Sequence, residues 1–170
     1  MASESARATT AAEARFRIEA PNSLPRVVTV IALDAASEAI VKRLAERVSK
    51  HTHFLIASSF ASNLATTAPL SVRCCLSDLA GRASRLVDEI DAADLVILVA
   101  TPGANAPTSQ MIGEACRLKG VMTTALVVGH AAASEESLSR TLAQLRPYAP
   151  MLVLANSEDY VADMLTALRA

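Results

Sequence analysis

Tryptophan is absent from this 170-residue chain, and aromatic side chains make up only 3% of it. Single-strand nucleic-acid binders stack bases on such rings, so that class loses its platform. Charge of either sign in excess is missing too. Sixteen Lys and Arg stand against 17 Asp and Glu, a net charge of −1, which leaves no basic field to gather nucleic acid or anionic lipid. Apolar runs never approach the roughly 20 residues that cross a bilayer, and the first residues hold no apolar stretch of a secretory signal. Neither nucleic acid nor a membrane is therefore expected as a partner. Cys74, Cys75 and Cys116 form no C-x-x-C pair, and neighbours on one strand point to opposite faces. Reduced thiols in a cytoplasmic protein are the expectation. Glycine is scarce as well, with five in all, which limits the loops that could cradle a phosphate.

What is present is apolar aliphatic mass. Hydrophobic residues reach 52% against 19% charged, which excludes a disordered chain and suits one core in one domain. Pro21 and Pro25 interrupt any helix and divide an arm, residues 1–25, from a body, residues 26–170. Within the arm Phe16, Ile18 and Ala20 alternate with Arg17 and Glu19, a period-2 pattern suited to an edge strand or to reaching a second subunit.

Through the body, apolar runs of strand length alternate with amphipathic runs of helix length. Residues 27–33 are apolar on both faces, as a central parallel strand must be. In the next helix Ile40, Leu44 and Val48 share a face while Lys42, Arg43, Glu46 and Arg47 meet water. Further strands are expected at 53–57, 70–76, 95–100, 121–128 and 151–154. Ser77 is read as capping a helix that carries Leu79, Ala83, Leu86, Val87 and Ile90. Thr108 to Lys119 is expected to be helical and to stop at Gly120, a helix begins at Ser134, and another opens at Ser157. Six strands with intervening helices predict an α/β fold: a doubly wound, mostly parallel sheet in three αβα layers, Rossmann-like in order.

Ligands of such sheets bind beyond the carboxyl ends of the strands, where the strand order reverses. Here that crevice falls between the first and fourth strands, lined by residues 34–37 and by residues 101–109, with 58–60 beside them. Asp34, Ser37, Ser58, Thr101, Gly103, Asn105, Thr108 and Ser109 are the candidate ligand-binding residues. Helix N-termini there favour an anion. A phosphate cradle, however, needs glycines for close backbone approach; the first loop has none and the second only Gly103. Asp34 would repel phosphate unless a metal intervened, and reads instead as a helix cap. No catalytic set is visible: there is no Walker A sequence, HExxH motif or Ser-His-Asp signature. His51 and His53 read as a solvated strand end rather than a metal pair, and His130 has no recognisable acid-base partner.

Taken in order, the segments resemble the nucleotide-binding domain of the FtsZ/tubulin family. Residues 26–33 with their helix are similar to its first strand and helix. Residues 54–59 stand at its second strand and Asn-Thr-Asp turn, and residues 91–100 resemble the run into its signature loop. Ile112 to Gly120, 123–128 and 137–156 follow its later helices and strands. The departures fall at the site. The glycine-rich first loop becomes Asp34-Ala35-Ala36-Ser37, the Gly-rich signature becomes Thr101 to Pro107, and Phe60 stands where the turn would end in Asp. The resemblance thus implies a Rossmann-like domain with a degenerate nucleotide site in which GTP hydrolysis is not expected. The expected role is self-association or binding of a protein partner; the alternative is a small-molecule domain for a nucleotide or phosphorylated metabolite in the crevice.

Overall fold

The computed structural model describes residues 26–47, 51–57, 75–104 and 106–167. The arm therefore lies outside the described residues, as do Ser58 and Asn105. Among the described residues seven strands form one sheet: β1 (Val28–Ala32), β2 (Thr52–Ile56), β3 (Cys75–Asp78), β4 (Ala83–Arg85), β5 (Leu95–Ala100), β6 (Met122–Val128) and β7 (Met151–Ala155). Their order is β4-β3-β2-β1-β5-β6-β7. The five strands from β2 to β7 in that order are parallel, with Val28 level with both Thr52 and Leu95. The helices are α1 (Ala35–Ala45), α2 (Leu86–Asp91), α3 (Thr108–Lys119), α4 (Glu135–Leu145) and α5 (Glu158–Ala167).

Alternation along the strands sorts the core into two layers. Ile31, Val96, Leu98 and Val127 pack against Leu86, Ile90, Ile112 and Leu145, so α2, α3 and α4 cover that face. Val30, Ile97, Val99 and Leu126 pack against Val41, Leu44, Val161 and Leu165, which places α1 and α5 on the other. Every residue of β1 and β5 is buried, as a strand covered on both faces requires. The fold is accordingly a three-layer, mostly parallel, Rossmann-like α/β domain. Exposed ion pairs join α1 to α5, Arg43 to Glu158 at 2.8 Å and Arg47 to Asp159 at 2.7 Å; water screens such pairs, so they orient α5 more than they hold it.

The strand count exceeds the expected six, and the difference is local. Ser77 does not cap a helix. It lies within β3, which runs antiparallel to both β2 and β4. The β3–β4 turn is organised by Asp78, whose Oδ1 accepts from the Ala80 and Arg82 amides at 2.9 and 2.8 Å, with Gly81 at φ 78°. Only from Leu86 does the chain become helical.

Candidate functional site

The chain leaves β1 toward one edge of the sheet and β5 toward the other, so the carboxyl ends of these neighbours form the switch point. After β1, Asp34 is the N-cap of α1. Its Oδ1 accepts from the Ser37 amide at 2.8 Å and Ser37 Oγ accepts from the Asp34 amide at 3.0 Å, a complete capping box. The same carboxylate reaches across to β5. Oδ2 accepts from the Thr101 amide at 3.0 Å and Oδ1 from Thr101 Oγ1 at 2.9 Å. One carboxylate thus takes three donors from two loops and closes the crevice from within. It stands at the positive end of the α1 dipole, where an anion would be favoured. Residues 34–37 and 101–104 contribute no Lys or Arg to offset its charge.

The second loop is drawn away from the crevice. Gly103, at φ 82°, donates its amide to Thr141 Oγ1 at 2.9 Å and to the Ser137 carbonyl at 3.2 Å. Its glycine serves this close approach to α4, since an added Cβ would lie 3.3 Å from Ser137 Cβ. The Ala104 amide donates to the Thr101 carbonyl and the Ala106 amide to Gln144 Oε1 at 3.1 Å. Pro102 and Pro107 have no N–H. Every described amide of residues 101–106 is thus satisfied within the chain, and none is presented to a ligand.

The structure therefore brings Asp34, Ser37 and Thr101 together, turns Gly103 toward α4, and buries Thr108 and Ser109 beneath the loop, at 1% and 2% exposure. Ser109 Oγ donates to the Ala106 carbonyl at 2.7 Å. Elsewhere, His53 Nδ1 lies 3.2 Å from Glu89 Oε2 on the surface, and no group of three His, Cys, Asp or Glu among the described residues is placed to hold a metal. His130 is half-buried in a one-turn helix after β6, its Nδ1 without a partner among the described residues. Cys116 is fully buried in α3. Burial pushes its thiol pKa up, against a smaller lowering by Thr123, so it is poorly suited to be a nucleophile.

Two features escaped the sequence. The Thr101 link gives the Asp34 cap a second role, yet the pair stands 67 residues apart. At the opposite end of the sheet a cleft of about 480 Å³ lies between the ends of α3 and α4, lined by Arg117, Met122, Arg146 and Tyr148. Gly113 admits Tyr148 there, because an added Cβ would collide with the Tyr148 Cβ. Met122 and Met151, 64% and 50% exposed, open the neighbouring strands.

No family model matches the chain, and no curated protein matches it. Among solved structures, translation elongation factor SelB from Methanococcus maripaludis in complex with the GTP analogue GppNHp is similar at TM-score 0.47 and 11% identity, over 87% of this chain and 34% of that one. The apo form of the same factor gives 0.45 and 10%, over 86% and 37%. The conserved hypothetical protein BatB from Bacteroides thetaiotaomicron gives 0.41 and 9%, over 85% and 98%. The chain spans about a third of the length of the elongation factor. Among the described residues no helix is long and apolar enough to cross a membrane.

Proposed function

We propose that this chain is an FtsZ-like Rossmann domain with a degenerate nucleotide site, which does not turn over GTP and acts through self-association or a protein partner. The observation that carries the reading is the Asp34 carboxylate, held by the Ser37 amide, the Thr101 amide and the Thr101 hydroxyl at 2.8 to 3.0 Å. A phosphate entering the crevice meets a fixed negative charge of the protein's own, finds every described amide of residues 101–106 already bonded, and has no nearby cation in residues 34–37 or 101–104. Desolvating two anions against each other is unfavourable. Binding would therefore require the α1 cap and the β1–β5 link to break first.

Thermal melts with GTP, GDP, ATP and NAD, each with and without magnesium, test the reading. A ligand at about 100 times its dissociation constant adds roughly 2.7 kcal/mol to native stability, or about 5–10 °C in Tm for a domain of this size. The expected result is no shift. A magnesium-dependent rise of several degrees with GTP or GDP would overturn it in favour of a nucleotide-regulated domain.

A further inference from the structure

Among the described residues strand β7 ends the sheet and pairs with β6 alone, and its sequence Met151-Leu152-Val153-Leu154-Ala155 carries no charge, proline or bulge. Monomeric proteins ordinarily blunt such an edge with one of these. Met151 and Leu154 are 50% and 40% exposed. A free edge calls for a partner strand; the flanking helices indicate which one.

On α4, Ser137, Thr141 and Gln144 hold the loop after β5, so this flank faces the middle of the sheet. At 100° per residue the opposite flank, beside β7, carries Glu135, Ser139, Leu142 and Arg146. Glu135 and Arg146 stand at its two ends, exposed, and neither makes an ion pair among the described residues. On α5, Glu158 and Asp159 face α1 through Arg43 and Arg47, which turns Tyr160 and Met164 toward the β7 side. Tyr160 is 50% exposed. The edge is thus an apolar band with one acidic and one basic corner.

We infer that β7 pairs antiparallel with β7 of a second copy about a two-fold axis at Val153, with Glu135 of each α4 facing Arg146 of the other. The axis stands perpendicular to the sheet, so strand direction reverses while the helices stay on their own faces. Met151 then meets Ala155 of the second copy, large against small, and Leu152 meets Leu154. Because α4 also reverses, its acidic N-terminal corner meets the basic C-terminal corner of the other copy. A parallel arrangement would set like charges together. The face measures about 17 Å along the strand and about 30 Å across three layers, or roughly 500 Å² per copy, near the lower limit for a specific interface. The dimer is accordingly reversible and concentration-dependent.

This inference rests on the association reading and gives it a partner. Sedimentation velocity of the full chain up to about 100 μM, a range that reveals micromolar dissociation constants, should show a monomer–dimer equilibrium. Leu154→Lys, at an exposed position, should weaken the dimer at least about tenfold, because like charges then face apolar neighbours across the pair. Glu135→Arg and Arg146→Glu should each weaken it, and the double reversal should restore it, although both changes oppose the α4 dipole. A structural effect on α4 would make the double variant worst of all, so restoration separates the two explanations. Val153→Cys should form a disulfide with itself on oxidation, whereas Met151→Cys should not, except with Ala155→Cys in a mixed sample. A chain that stays monomeric with and without residues 1–22 overturns this inference and self-association together, but leaves binding of a different protein open. Dimerisation appearing only after residues 1–22 are removed overturns it by giving the edge to the chain's own arm. A dimer that tolerates Leu154→Lys and lacks the Val153 cross-link overturns only the β7 geometry and leaves self-association standing.

Discussion

Replacing Asp34 with alanine removes three hydrogen bonds with one change. The Ser37 amide loses its cap, an effect of about 1 kcal/mol at helix N-termini. The Thr101 amide and hydroxyl lose a charged acceptor they reach at 3.0 and 2.9 Å. Bonds to charged groups contribute about 1.5–3 kcal/mol when well buried; this site is only part-buried, so water recovers some of the loss and about 1 kcal/mol each is the better figure. The expected destabilisation is therefore roughly 2–3 kcal/mol, seen as a Tm about 5–10 °C lower for a domain of this size. Urea unfolding followed by circular dichroism should show a lower midpoint with an unchanged slope. Thr101→Val removes one donor and, combined with Asp34→Ala, should be clearly less than additive, since both changes delete the same contact. A loss below about 0.5 kcal/mol, the range of ordinary surface substitutions, or full additivity of the pair, would refute the claim that this carboxylate locks the crevice.

Gly113→Ala places a methyl group against Tyr148 Cβ and should cost about 1–3 kcal/mol by overpacking; calorimetry of Gly113→Ala with Tyr148→Gly, which removes that Cβ, should show the second change relieving the first. Asp78 titrates below its ordinary value, mainly through the Arg82 amide and then the Arg82 side chain. Its contribution is present above the unfolded carboxylate pKa, near 3.9, and is lost as pH falls through the lower folded value. Asp78→Asn should therefore flatten the acid limb of a stability–pH curve without changing its shape above pH 6, and an unchanged acid limb would count against the turn assignment.

The central sheet was legible because strands covered on both faces must be apolar on both faces, as residues 28–32 and 95–100 are. Helix ends were legible where a local signal sets them: Asp34 and Ser134 cap α1 and α4, and Gly120 closes α3 in the left-handed region. The β3–β4 hairpin is masked in the sequence because Leu79, Ala83, Leu86, Val87 and Ile90 fall at helical spacing by coincidence. The stronger signal was Asp78 with Gly81, a side-chain acceptor and a positive-φ residue three apart. At the candidate site the Asp34 cap is a three-residue interaction and could be read directly. Its bond to Thr101 and the turning of Gly103 toward Thr141 span 67 and 38 residues, and no local pattern encodes them. The open edge at β7 is likewise a property of strand order, which pairs distant segments.

The most direct measurement is a ¹⁵N–¹H correlation spectrum of the full chain titrated with magnesium GTP, following the Thr101 and Gly103 amides. In a closed crevice these protons belong to Asp34 and to Thr141 with Ser137, so their resonances stay in place through millimolar nucleotide. Saturable movement of both, with the Ser37 amide moving alongside, would mean that the carboxylate yields its place to a phosphate and would contradict a degenerate site.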